Sequence, residues 1–216
     1  MSRPLVVVGA SGFGRESLDV IAAHNVARPD AAFEVLGVLD DGPSEDNLAR
    51  LAGRDIPYLG GIEDFLAGHE PIDYLLAIGA PKVRERLVAQ FDAAGWRAAS
   101  VVHPSATVGS MTAWAEGLVV CGGAQVSTNV RLGRHVHINP NATIGHDSTL
   151  DSFVSINPAA IISGDVHVRS RTLIGAGAIV LQGLSIGADT TVGAGAVVTK
   201  AVPDGVVVKG VPGVWS

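Results

Sequence analysis

From Val102 onward an aliphatic side chain returns at every sixth residue: Val102, Val108, Trp114, Val120, Val126, Leu132, Ile138, Ile144, Leu150, Ile156, Ile162, Val168, Ile174, Val180, Ile186, Val192 and Val198. Sixteen of these seventeen positions hold Val, Leu or Ile. Those three types make up 60 of 216 residues, so chance would supply about five, and the period is a property of the fold. Two residues before each aliphatic, a small or aliphatic side chain also returns, as at Ala106, Ala124, Val130, Ala142, Val154, Ala160, Val166, Ala178 and Ala196, so that position points inward too. The residue just after the aliphatic is often Gly, Asn, Asp or Ser, as at Gly109, Gly133, Asn139, Gly145, Asp151, Asn157 and Gly175, which suits a tight corner. A sandwich of short strands would instead alternate with period two.

A period of six with one obligatory apolar position resembles the hexapeptide repeat of left-handed parallel β-helices, in which three hexads complete one triangular coil. Coils stack at the ~4.8 Å spacing of hydrogen-bonded strands, so residues 18 apart become neighbours. Residues 101–216 are read as this all-β domain with a C-terminal tail.

Residues 1–100 follow a different pattern. Leu5-Val-Val-Val8 predicts a buried strand, ending in Gly9-Ala-Ser-Gly12-Phe-Gly14 before a helix with Leu18, Ile21 and Ala22 at helical spacing. Phe33–Leu39 predicts a second strand running into Asp40-Asp41, and Asp73–Ile78 a later one ending at Gly79. Pro81 opens a helix whose apolar positions are Val83, Leu87, Val88 and Phe91. Alternating strands and helices imply a small parallel, Rossmann-like α/β sheet whose ligands sit at the carboxyl ends of the strands.

Composition narrows the function classes. A formal net charge of −6 offers no global attraction to nucleic acid or anionic lipid. No apolar run approaches the ~20 residues of a membrane span, and the apolar start breaks at Gly9, too early for a secretory segment. The single cysteine, Cys121, excludes an internal disulfide and suits a reducing compartment, so a soluble cytoplasmic protein is expected. Cys121 itself falls at a corner and reads as a small buried thiol rather than a nucleophile.

Several residues can carry chemistry. The turn Gly9-x-x-Gly12-x-Gly14 either presents amides and a helix N-terminus to phosphate or is simply a strand-to-helix turn, and its spacing is not G-x-G-x-x-G. Asp40 and Asp41 can accept hydrogen bonds from a ribose or base edge, or form a solvated acidic turn. His146 follows inward Ile144 by two and is expected to point outward, with Asp147 beside it to orient the imidazole. One coil from His146 lie Thr128 and Gly164, neither a metal ligand, which argues against a three-histidine zinc site, and no metal is expected.

The pairing of this N-terminal unit with a hexapeptide helix resembles the sugar acyltransferases that include bacillosamine and perosamine N-acetyltransferases and sialic acid O-acetyltransferases. The resemblance covers nearly the whole chain. It rests on Val6-Val-Val-Gly-Ala-Ser-Gly-Phe-Gly14, Gly37-Val-Leu-Asp-Asp41, His103-Pro-Ser-Ala106, Ile144-Gly-His-Asp147, Gly175-Ala-Gly-Ala178, Gly193–Lys200 and the tail from Val202-Pro-Asp-Gly205 to Gly210-Val-Pro212.

It implies transfer of an acyl group from acetyl-CoA to the amine of a nucleotide-linked amino sugar, or alternatively to a sugar hydroxyl, by a homotrimer with sites between neighbours. His146 would be the general base, Asp147 its orienting acid and Asn139 a contact to the acceptor sugar. Gly164 would face the thioester oxygen through its amide, and pantetheine would run near Gly164, Ala176 and Ala194. The nucleotide would sit near Gly12, Phe13, Asp40 and Asp41. Lys200 and Lys209 are candidates for contacts to CoA phosphates or are solvated lysines. A non-catalytic ligand-binding trimer is the alternative from another class, and the intact His146-Asp147 pair argues against it. The chain departs from the family at Phe13, where several members carry histidine. It departs again at Ser155, where some have a second histidine, and in a tail that lacks Ala-Arg after proline.

Overall fold

The computed structural model describes residues 2–215. The first part of the chain is a five-stranded parallel sheet in the order β3-β2-β1-β4-β5, formed by β1 (Arg3–Val8), β2 (Phe33–Leu39), β3 (Tyr58–Gly60), β4 (Asp73–Leu76) and β5 (Arg97–Ala98). It is joined by α1 (Gly12–Ala27), α2 (Glu45–Ala52), α3 (Ile62–Gly68) and α4 (Pro81–Ala93). The strand order reverses beside β1, which opens a crevice at the carboxyl ends of β1 and β4. The glycine turn has a structural cause: Gly9 has φ 116°, and a Cβ on Gly14 would run into the Gly9 carbonyl, so α1 can begin this close to β1 only with glycine at 14. Gly12 has open space where its side chain would be.

From Val101 the chain winds as a parallel β-helix with three faces, sheets of seven, six and five two-residue strands. The register carries the period of 18 directly, with Gln125 opposite Thr143, Thr143 opposite Ile161 and Ile161 opposite Ile179. Val120, Val126, Leu132, Ile138 and their successors through Val198 form one buried cluster. Left-handed backbone recurs at the corners on the same ruler, at Met111, Asn129, Asp147 and Asp165 in one column and at His135, Phe153, Arg171 and Asp189 in another. Trp114 is the correction to the expected inward series. It is 48% exposed, because it belongs to the first coil and has no coil beneath it to cover the ring.

The α/β sheet lies against the outer side of the first face. Val101, Val119 and Cys121 join the cluster of Leu5, Val7, Leu75 and Ala77, while Phe153 joins that of Tyr74, Phe91 and Trp96. Ion pairs from Arg134 to Asp92 and from Arg171 to Glu85 tie α4 to the corner that precedes the first face. The corner between the second and third faces lies at the vertex opposite the packed face.

Candidate active site

That opposite vertex carries His146. The chain leaves the second face at Thr143–Ile144 and joins the third at Thr149–Leu150, with Gly145, His146, Asp147 and Ser148 forming the corner. Ser148 is buried, donates its hydroxyl to the Ser163 carbonyl and accepts from the Val166 amide, which pins the corner to the coil above. The His146 carbonyl accepts from the Asp165 amide and the Asp147 amide donates to the Thr128 carbonyl, so the backbone under both side chains is held from two coils.

The side chains of His146 and Asp147 are about half exposed, and Nδ1 of the imidazole stands 2.7 Å from Oδ2 of Asp147. The other carboxylate oxygen, Oδ1, accepts from Nδ2 of Asn129 at 2.6 Å. Those two hydrogen bonds, the Asn129 one the larger, hold the Asp147 carboxyl below its ordinary range. An ionised Asp147 keeps the proton on Nδ1, leaving Nε2 as a free acceptor. Over that nitrogen lies Gly164, one coil above: a Cβ there would come within 2.5 Å of Nε2. Glycine at 164 leaves the approach to Nε2 open, and its amide donates to no acceptor among the described residues.

The remaining expected residues are not all gathered here. Asn139 is buried on the corner after the first face, where Nδ2 donates to the Ile156 carbonyl at 2.9 Å. Its backbone is not left-handed; Asn141 takes that role with φ 58°. Ala176 and Ala194 are exposed and stacked one coil apart, but at the vertex that also carries Asn139 rather than at that of Gly164. Twelve residues separate Gly164 from Ala176, two hexads and hence a different vertex, so within one chain these three do not line a single track. Lys200 places Nζ 4.9 Å from the centre of the Trp215 ring, a cation–π contact within its own chain.

In the α/β sheet, a cavity of about 210 Å³ opens at the strand ends, lined by Gly9, Asp40, Asp41, Ile78, Val83 and Arg86 among others. Both acids take structural bonds there: Asp40 accepts from the amides of Ala10 and Gly42, and Asp41 accepts from the amide of Ile62 at the start of α3. Phe13 is half-buried, its ring 4.9 Å from that of His137, and serves the junction with the β-helix rather than a solvent-facing pocket. Arg86 is an exposed cation on the cavity wall that sequence reading passed over. Cys121 is buried and its thiol is pushed up to about 12 by burial, as a packing residue. Among the described residues, no three His, Cys, Asp or Glu side chains gather as a metal site, and no helix is long and apolar enough to cross a membrane.

A small crevice at the strand ends of a parallel sheet, joined to a β-helix with a carboxylate-paired histidine at its vertex, is the architecture of an acyltransferase. Residues 4–91 match the PglD N-terminal domain family. Over 100% of both chains the protein is 31% identical to the acetyltransferase domain of PglB from Neisseria gonorrhoeae in complex with acetyl coenzyme A, with a TM-score of 0.84. It is 28% identical, with a TM-score of 0.85 over 99% of this chain and 96% of the other, to a His-to-Asn variant of perosamine N-acetyltransferase from Caulobacter crescentus in complex with CoA and GDP-perosamine. WeeI from Acinetobacter baumannii AYE is 27% identical with a TM-score of 0.84, covering 98% of this chain and 99% of that one. Comparison with curated sequences finds no match. The chain belongs to the sugar acyltransferase family that joins a PglD-type N-terminal domain to a left-handed hexapeptide β-helix.

Proposed function

We propose that the protein transfers the acetyl group of acetyl-CoA to the amino group of a nucleotide-linked amino sugar, with His146 as general base. The observation that carries this reading is the outward His146-Asp147 pair at a β-helix vertex, in a chain similar along its whole length to an acetyltransferase domain bound to acetyl coenzyme A. The acceptor amine attacks the thioester carbonyl carbon while Nε2 of His146 removes its proton. Asp147 stabilises the resulting imidazolium, and the Gly164 amide donates to the developing oxyanion. The C–S bond then breaks and CoA leaves as the thiol. Holding both substrates in one cleft supplies several kcal/mol of the barrier reduction.

The working unit in this reading is a homotrimer. The α/β sheet of one chain covers the first face, while its His146 sits at the opposite vertex, so a sugar held in the sheet's crevice meets the histidine of a neighbour. A groove of about 620 Å³ beside Asn129, with Met111 80% exposed and Trp114 on its wall, gives that neighbour an apolar seam. CoA phosphates remain candidates for Lys200 and Lys209, and the amides at Gly12 for the nucleotide diphosphate.

The test is thiol release from acetyl-CoA across UDP-, GDP- and dTDP-linked amino sugars. One acceptor is expected to turn over, and His146→Ala, on an exposed position, to abolish release while the fold and the trimer persist. Normal turnover by that variant, or acetylation of a sugar hydroxyl only, would overturn the reading.

A further inference from the structure

Arg84, on α4, has no exposed surface and no carboxylate partner, a burial that costs free energy except as its donors are used; Nη1 and Nη2 are used and Nε has no partner among the described residues. Its guanidinium sits where three pieces of chain converge. Nη1 donates to the carbonyls of Ile78 and Gly79 at 2.8 and 3.0 Å and to the Ser155 hydroxyl at 2.9 Å. Nη2 donates to the carbonyls of Phe153 and Val154 at 2.8 and 3.3 Å. Ser155 closes the ring by donating its own hydroxyl to the Gly79 carbonyl at 3.1 Å. Ile78 is a wall of the crevice at the strand ends, as are Val83 and Arg86 on either side of Arg84 along α4, whereas Phe153, Val154 and Ser155 belong to the β-helix.

We infer that Arg84 is a positioning residue that fixes the wall of the acceptor-nucleotide crevice to the β-helix, so that the sheet and the helical prism present acceptor and base in constant register. The inference rests on the proposed function for what fills the crevice. A forked group is needed, because oxygens on two separate segments must be reached at once by two nitrogens, Nη1 and Nη2, held a fixed distance apart. Ser155 thereby acquires a role on the acceptor side: it is the β-helix half of the latch, on the first face and away from the His146 vertex.

The experiment uses the full-length protein with Arg84→Lys and Ser155→Ala. Binding of UDP, GDP and dTDP and, separately, of acetyl-CoA is measured by calorimetry, followed by KM and kcat for the acceptor that turns over. Lysine keeps the charge but cannot span both segments. Arg84→Lys is expected to weaken the nucleoside diphosphate bound by the wild type, and to raise the acceptor KM, by about tenfold, the equivalent of a hydrogen bond to a charged group, with acetyl-CoA affinity changed less than about twofold. Ser155→Ala, which removes one hydroxyl and buries no new group, is expected to shift the same quantities in the same direction by a smaller factor, and it keeps the test alive if the lysine variant does not fold. Nucleotide affinity and acceptor KM unchanged in both variants, or equal losses for nucleotide and acetyl-CoA, would overturn the inference. A wild-type protein that binds none of the three nucleotides would instead sink the functional reading, and this inference with it.

Discussion

Asn129 and Asp147 are 18 residues apart in sequence and 2.6 Å apart in space, the amide of one coil donating to the carboxylate of the next, whose other oxygen faces Nδ1 of His146. Removing Asn129 leaves Asp147 free to rotate off the imidazole. Asn129→Ala is expected to lower kcat on the order of tenfold, the worth of one charge-assisted hydrogen bond, with the KM for acetyl-CoA unchanged. A carboxyl-carbon NMR titration should show Asp147 protonating at higher pH than in the wild type, since the largest influence holding it down is gone. A variant with slower turnover but an unmoved Asp147 titration would mean that Asn129 acts on something else.

Gly164 makes a sharper prediction. Its backbone is compatible with any residue, so Gly164→Ala should fold, but the new methyl would stand 2.5 Å from Nε2 of His146. The ring must turn away from its acceptor position, and a displacement of that size is expected to cost on the order of a hundredfold in kcat. Gly68→Ala, where the added methyl meets nothing and no substrate is proposed to bind, is the matched control for folding. Unimpaired turnover in Gly164→Ala would place the reacting groups elsewhere.

A site divided between protomers predicts complementation. His146→Ala removes the base and Arg86→Glu places a carboxylate on the wall of the nucleotide crevice, so each variant alone should be inactive. Co-expressed, the two variants of the proposed trimer should mix so that about one site in four pairs an intact crevice with an intact histidine, and roughly a quarter of wild-type activity should return. Sedimentation of the mixture and thiol release measured on it test this together. Trimers that stay inactive would show that crevice and base come from one chain.

The β-helix was legible in the sequence because its cause is local and repeated: every sixth residue must fill the prism, and every corner must turn. The same ruler placed Gly164 over His146, and stepping back one coil from Asp147 would have found Asn129. It did not show which face the α/β sheet covers, because the outward residues there, such as Val119, Cys121 and Ser155, differ little from outward residues elsewhere. Arg84 did leave a signal, since it stands three, four and seven residues before Leu87, Val88 and Phe91 on the apolar stripe of α4, but nothing in the sequence told that the β-helix would supply its acceptors. Gly164, Ala176 and Ala194 are expected along pantetheine by resemblance, and the hexad count puts Gly164 on one vertex of the chain and the two alanines on another.

Two buried histidines predict how acid should act on the fold. His135 and His137 pack at the junction of sheet and β-helix, with no hydrogen-bond partner for either ring among the described residues. Burial, reinforced at His135 by the Arg134 and then the Arg84 charge and at His137 by Arg84, lowers the His135 imidazole to about 3 and that of His137 well below its ordinary value. In the unfolded chain both take up protons near pH 6.5, while in the folded chain they do not, so the unfolded state binds more protons as the pH falls below that point. Stability is therefore fully present above pH 6.5 and declines below it, by roughly 2 kcal/mol for His135 alone at pH 5. Urea unfolding at pH 7 and pH 5 measures the loss. His135→Phe, which copies the left-handed Phe153 one coil above, should remove its share of the pH dependence without emptying the site, since the rings of His135 and Phe153 are already parallel at 5.7 Å. An unchanged slope in that variant would mean that His135 does not titrate with unfolding and that the acid sensitivity originates in other groups.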